Sequence, residues 1–154
     1  MIYIKDNFLD VSKAKEIHEY ISNLEYKFGR KSNKKYDVKH WYSKKILNTP
    51  LDIFIKKFNI NINRKETVYV NAHTYGIEPC EHIDKGYFKT YIYYPLLNWK
   101  TEWGGGTIIY DDKENYIPYI GNRLLEFDSS LKHKAAPINK GCHELRSVVI
   151  IKKI

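Results

Sequence analysis

The chain has 154 residues, enough for one domain with its own core and too few to expect two. It is 43% hydrophobic and 15% aromatic with 14 tyrosines, which excludes a disordered chain and favours strands. A net charge of +8 suits an anionic partner, whether nucleic acid, an acidic protein or a small anion; no apolar run reaches a membrane span and MIYIKDNFLD lacks a signal-peptide core, so a soluble, cytoplasmic protein without a membrane partner is expected.

In chain order, a short strand is expected at Ile2 to Ile4. Ala14, Ile17, Ile21, Leu24 and Phe28 then recur at helical steps, an apolar stripe that should lie along a sheet, with Asp10 or Ser12 as its cap. The run GRKSNKKYDVK, Gly29 to Lys39, mixes Gly, Ser and Asn with its lysines and reads as a solvated loop, or else as a basic rim at a substrate entrance. A second helix begins at TPLDIFIKKF, where Thr49 can cap, Pro50 suits the first helical position, and Leu51, Phe54 and Phe58 share a face.

From Thr67 the pattern turns to strands: Thr67 to His73, Tyr87 to Pro95, Gly106 to Tyr110, Leu124 to Phe127, His133 to Ile138 and Leu145 to Lys152. Helices followed by short strands argue for an α+β fold, with residues 1–66 as helical support and 67–154 as a jelly-roll core. Eight strands in two facing sheets, a cupin-like double-stranded β-helix with helices on the larger sheet, would enclose a pocket. On Thr67 to His73, Val68, Val70 and Ala72 fall on one face and Tyr69, Asn71 and His73 on the other, which faces either water or that pocket. Cys80 and Cys142 make no spaced metal pair and are expected as free thiols.

The stretch EHIDKG carries the chemistry. On an extended backbone His82 and Asp84 point the same way and can offer a nitrogen and an oxygen to one metal ion. Two later histidines, His133 and His143, compete for a third place. If Arg146 points inward with Val148 and Ile150, then His143, three residues earlier, points outward, while His133 should reach the pocket by pairing across the turn INKGC. Two histidines and a carboxylate leave three positions of an octahedral metal open, which suits non-haem Fe(II) and oxygen chemistry, whereas a structural zinc wants four protein ligands.

The order HID, then His133, then Arg146 resembles the His-X-Asp…His…Arg signature of Fe(II)/2-oxoglutarate-dependent oxygenases. YIYYPLLNWKTEWGGGTIIY and IGNRLLEFDSSLKHKAAPI are similar to segments of their prolyl-hydroxylase-like group, and the likeness runs from about Tyr69 to Ile151. The resemblance implies a dioxygenase using Fe(II), 2-oxoglutarate and O2, with ascorbate as a stimulant. It implies that His82, Asp84 and His133 bind iron, that Arg146 and Tyr94 hold the distal carboxylate of 2-oxoglutarate, and that His73 lines the pocket where many relatives have tyrosine. Tyr91 and Tyr93 should face away, Trp99 and Trp103 should pack the turn, and Gly104 to Gly106 should permit close backbone approach. His18 and His40 have no partner legible in the sequence.

The implied reaction hydroxylates an unactivated C–H bond while 2-oxoglutarate becomes succinate and CO2, with a prolyl residue in a peptide or protein as the first substrate. Nucleic-acid demethylation is the second enzyme reading; its branch carries another arginine six residues after the first, where this chain has Lys152. A cupin-like binder without turnover is the third. Frequent Lys, Ile, Asn and Tyr point to an AT-rich genome, and the compact length suits a phage or bacterial gene.

Overall fold

In a computed structural model, residues 1–33, 35–63 and 67–154 are described. Asp10 accepts a hydrogen bond from the Lys13 backbone at 2.9 Å and so starts α1 (Val11–Ser22), whose stripe Ala14, Ile17 and Ile21 is buried. The helix stops short of the expected Phe28 because Ser22 and Asn23 turn their side chains back onto the carbonyls of His18 and Glu19. Phe28 belongs instead to β2 (Lys27–Arg30), where it lies exposed against Trp41 of β3 (His40–Ser43). The lysine-rich run thus begins in a strand and ends beside one. Thr49 and Pro50 precede α2 (Asp52–Phe58), and the Thr49 hydroxyl accepts from the Leu51 N–H at 3.1 Å.

The remaining strands are β1 (Ile2–Lys5), β4 (Val68–His73), β5 (Lys89–Tyr94), β6 (Thr107–Asp111), β7 (Lys113–Ile117), β8 (Arg123–Asp128), β9 (Lys132–Ala135) and β10 (Arg146–Lys153). They form an antiparallel seven-stranded sheet ordered β1-β8-β5-β10-β4-β3-β2 and a three-stranded sheet ordered β7-β6-β9. This is the expected double-stranded β-helix with a larger share for the N-terminal segment, which supplies β1, β2 and β3 as well as both helices. β7 was not anticipated, because KENYI is mostly exposed and lacks clean apolar alternation.

Alternation on β5 and β4 separates the two faces of the large sheet. Tyr91 and Tyr93 meet α2 through Phe58 and Phe54, with ring centres 4.4 and 4.9 Å apart. Burying Phe54 completely is worth about 1.5–3 kcal/mol. Thr90, Ile92, Tyr69, Asn71 and His73 instead line a cleft between the sheets. The polar face of β4 is therefore the pocket wall.

One expectation fails. β9 and β10 do not pair across INKGC: β9 pairs with β6 in the small sheet, and β10 with β4 and β5 in the large one. The chain between Ala135 and Arg146 is a crossover, held by the Gly104–Ile138 bridge and by Asn139 N–H on Trp103 O, and it is too long to close a tight hairpin. His133 and Arg146 reach the same cleft from opposite walls. Cys80 and Cys142 are free thiols, and among the described residues no helix is long and apolar enough to cross a membrane.

Candidate metal and cosubstrate site

The His82 segment is clamped to β9 by two backbone hydrogen bonds with His133, at 3.0 and 2.9 Å, and Asp84 N–H is held by Ser129 O at 3.0 Å. Both imidazoles place Nδ1 against a carbonyl, His82 on Cys80 O at 3.2 Å and His133 on Leu131 O at 3.0 Å. A carbonyl only accepts, so each Nδ1 donates there and Nε2 is the ring atom turned toward Asp84 and open to a metal. Those Nε2 atoms lie 3.9 and 3.5 Å from the Asp84 carboxylate, and donor atoms of all three residues fall within 4.8 Å of one another. Burial, helped by His82 alongside, pushes the His133 imidazole down to about 4, so at neutral pH it is an uncharged ligand. Its ring also packs edge-on against Phe127 at 4.7 Å. Two imidazole nitrogens and one carboxylate close together fit a divalent metal with open positions.

Asp84 is held ionised. Burial pushes its carboxyl up, but the Lys152 ammonium, His133 and hydrogen bonds from Lys152 and Thr90 more than offset this, and the net shift is downward. Lys152 Nζ sits 2.7 Å from one carboxylate oxygen, Oδ1, and the Thr90 hydroxyl 2.7 Å from the other. The ammonium also lies over the rings of Tyr69 and Tyr87, each centre 5.4 Å from Nζ. In the sequence Lys152 stands out only as the residue in place of a second arginine. Its position on the same face as Arg146, Val148 and Ile150 was the available signal.

Arg146 is 2% exposed. Its guanidinium donates to Gly105 O and, at 3.1 Å, to Gly106 O, and Nη1 lies 3.4 Å from His73 Nδ1. The triple glycine makes this cradle: a Cβ on Gly105 would sit 3.0 Å from the Trp99 ring and 3.3 Å from Arg146 Cδ. Trp99 stacks on Tyr119 and meets Trp103 edge-on, packing the turn as expected. No carboxylate among the described residues pairs with Arg146. A buried cation held only by carbonyls and an imidazole calls for an anion.

The other sequence candidates sort by position. Tyr94 is buried behind the cleft, and its hydroxyl meets the hydroxyl of the cleft-lining Thr107 at 2.6 Å. Burial pushes its phenol up to about 12, so it stays protonated. His73 lines the cleft and packs at a tilt against His40, ring centres 4.5 Å apart; burial, then the Arg146 charge and His40, hold its imidazole well below the usual range. His73 Nε2 has no partner among the described residues. His143 is exposed and stands outside the cleft, and His18 Nδ1 accepts from Leu97 N–H at 3.1 Å.

The cleft has a volume of about 1100 Å³, with the three metal-ligand candidates, Arg146 and His73 all on its lining. Solved structures share this arrangement of sheets. A prolyl hydroxylase from Trichoplax adhaerens, in complex with a hypoxia inducible factor oxygen degradation domain peptide fragment, superposes with a TM-score of 0.72 at 19% identity over 99% of this chain and 83% of that one. A prolyl-4-hydroxylase from Pseudomonas putida gives 0.72 at 12% identity over 99% and 91%. An oxidoreductase of the 2OG-Fe(II) oxygenase family from Burkholderia pseudomallei gives 0.70 at 9% identity over 98% and 84%. No family model and no curated protein matches the sequence. The chain has the double-stranded β-helix fold of the 2-oxoglutarate/Fe(II) oxygenases.

Proposed function

We propose that this chain is a non-haem Fe(II)/2-oxoglutarate-dependent oxygenase that hydroxylates an unactivated C–H bond, with a prolyl residue of a peptide or protein as its first substrate. One observation carries the reading: a three-residue metal-ligand set and a buried arginine without a carboxylate partner among the described residues open onto the same cleft. Similarity to two prolyl hydroxylases, one holding a peptide, supports the substrate class.

In this reading His82, Asp84 and His133 hold Fe(II), and Arg146 receives the distal carboxylate of 2-oxoglutarate through paired charge-assisted hydrogen bonds. Bound there, Fe(II), 2-oxoglutarate and O2 supply the oxidation: one oxygen atom enters the product, the other enters succinate, and CO2 leaves. The protein's part is positional. The Gly105 and Gly106 carbonyls fix the guanidinium, Tyr94 holds the Thr107 hydroxyl on the cleft wall, and a neutral His73 adds no charge beside Arg146. Thr90 and Lys152 keep Asp84 charged and oriented. Ile92, Val148 and Ile150 give the cleft an apolar floor that limits water around the reacting groups. Lys152 is engaged with Asp84 and buried, which favours a peptide over a nucleic-acid backbone at this position.

The test is succinate formation from 2-oxoglutarate with Fe(II), O2 and ascorbate, in the presence of a panel of proline-containing peptides. Peptide-stimulated turnover with an added oxygen atom on proline is expected. Turnover that no proline peptide stimulates, with another C–H substrate accepted, overturns the prolyl assignment.

A further inference from the structure

We propose that Asp37 is a positioning residue for the metal ligand His82, acting through Cys80, and that it couples the loop at the cleft entrance to occupation of the metal site. This rests on the metal-binding part of the oxygenase reading, and adds to it the device that holds one ligand in place.

Asp37 stands in the lysine-rich run between β2 and β3 and is 7% exposed. A buried carboxylate needs its lone pairs filled, and four backbone N–H groups fill these. Oδ2 accepts from Ser32 at 3.1 Å and from Asn33 at 3.0 Å. Oδ1 accepts from Val38 and from Cys80, both at 2.8 Å. One oxygen thus closes the loop on itself, and the other fastens it to a segment 43 residues further along the chain. That segment carries His82. The Cys80 carbonyl accepts from His82 Nδ1 at 3.2 Å, so a single residue joins the Asp37 carboxylate to the ring whose Nε2 would meet the metal. Cys80 Sγ lies 3.6 Å from Tyr36 O, a second tie between the same two segments.

The two candidate histidine ligands differ in how much they need such support. His133 belongs to β9, packs on Phe127 and has a side chain only 7% exposed. The His82 side chain is 19% exposed, and the chain leading to it, from Thr74 to Glu81, is neither helix nor strand. Within that stretch Ile77 N–H closes a local turn on Thr74 O, and Glu81 pairs with Lys132 at the surface, where an ion pair holds little. The buried tie to Asp37 is what fixes the carbonyl behind the His82 ring. Partners that orient a metal ligand in this way are worth about 10–100-fold in metal affinity. On its other side, Asp37 holds Ser32 and Asn33, which line the cleft. Coupling between two sites is reciprocal, so a metal ion that steadies His82 should also steady this part of the cleft wall.

The experiment uses the whole protein with Co(II) or Zn(II) as the metal. Asp37→Asn keeps the side chain's shape but leaves one accepting oxygen, so the loop pair and the Val38–Cys80 pair of N–H groups cannot both be held. Co(II) affinity, read from its visible absorption, should fall about tenfold. In the Co(II) protein the paramagnetically shifted imidazole N–H resonances report each ring separately; Asp37→Asn should displace or broaden that of His82 and leave that of His133 in place. Asp10→Ala, which removes the cap of α1, is the control for general destabilisation and should change neither readout. In wild type, Zn(II) should slow hydrogen exchange at the Ser32, Asn33 and Cys80 amides by about fivefold or more. Unchanged Co(II) affinity and an unchanged His82 resonance in Asp37→Asn overturn the inference alone, as does an equal loss in Asp10→Ala. If Asp37→Asn does not fold, wild type decides: exchange at those amides indifferent to Zn(II) overturns the inference. A folded wild type that binds no Co(II) overturns the metal assignment, and this inference with it.

Discussion

Replacing Lys152 with Met tests how the site is held before any metal arrives. The substitution keeps an unbranched side chain and removes the ammonium that lies 2.7 Å from Asp84 Oδ1 and over the Tyr69 and Tyr87 rings. The lysine and aspartate side chains are 11% and 3% exposed, so water cannot take over the lost contact. Breaking a buried pair on one side costs about 3–5 kcal/mol. For a chain of this size each kcal/mol is about 2–4 °C in Tm, so the metal-free variant should melt about 6–20 °C below wild type. The assay is thermal unfolding followed by circular dichroism, in chelator and then with excess Mn(II). Mn(II) should stabilise the variant more than wild type, because a divalent ion restores positive charge beside Asp84. In an Asp84→Asn background the cost of losing Lys152 should shrink sharply. An unchanged melting temperature in chelator, or the same loss with and without Asp84, would refute this role for the pair.

Two further outcomes follow from buried groups. Arg146→Met should weaken 2-oxoglutarate binding by at least about a hundredfold by calorimetry, since a charge-assisted carboxylate contact of about 3 kcal/mol is removed, while metal binding to His82, Asp84 and His133 is retained; loss of metal binding instead would contradict the separation of the two subsites. Acid should destabilise the fold in a defined window: burial holds His40 down to about 4 against an ordinary 6.5, and burial and the Arg146 charge hold His73 well below it too. The unfolded chain binds these protons first, so their contribution is complete above about pH 6.5 and is lost as pH falls towards about 4. Denaturant unfolding of the metal-free protein across that range, with His40→Phe flattening the slope, checks the sign; stability that rises on acidification would contradict it.

The site was more legible than the path that builds it. Period-two alternation on β4 put Tyr69, Asn71 and His73 on one face, and the same rule on β10 put Arg146 inward and His143 out. Spacing therefore located the cleft's residues. It did not show which strands pair, because pairing depends on contacts between distant segments: β9 looked like the hairpin partner of β10 by adjacency, yet pairs with β6. β2 and β3 were hidden by lysines, Gly29 and exposed aromatics, which lack the dry alternation of a buried strand. Lys152 looked like a missing arginine. Only the folded register, which carries the end of β10 past Asp84, turns it into the carboxylate's partner.

The most direct measurement is anaerobic titration of the protein with Fe(II) and 2-oxoglutarate, recording the visible charge-transfer absorption of the chelate in wild type and in His133→Ala. A band that saturates near one equivalent of iron in wild type and is lost in the variant is the predicted result, and would establish metal and keto acid in one assembled site. A folded, metal-loaded wild type without the band would contradict the oxygenase reading and leave a metal-binding protein on an oxygenase fold.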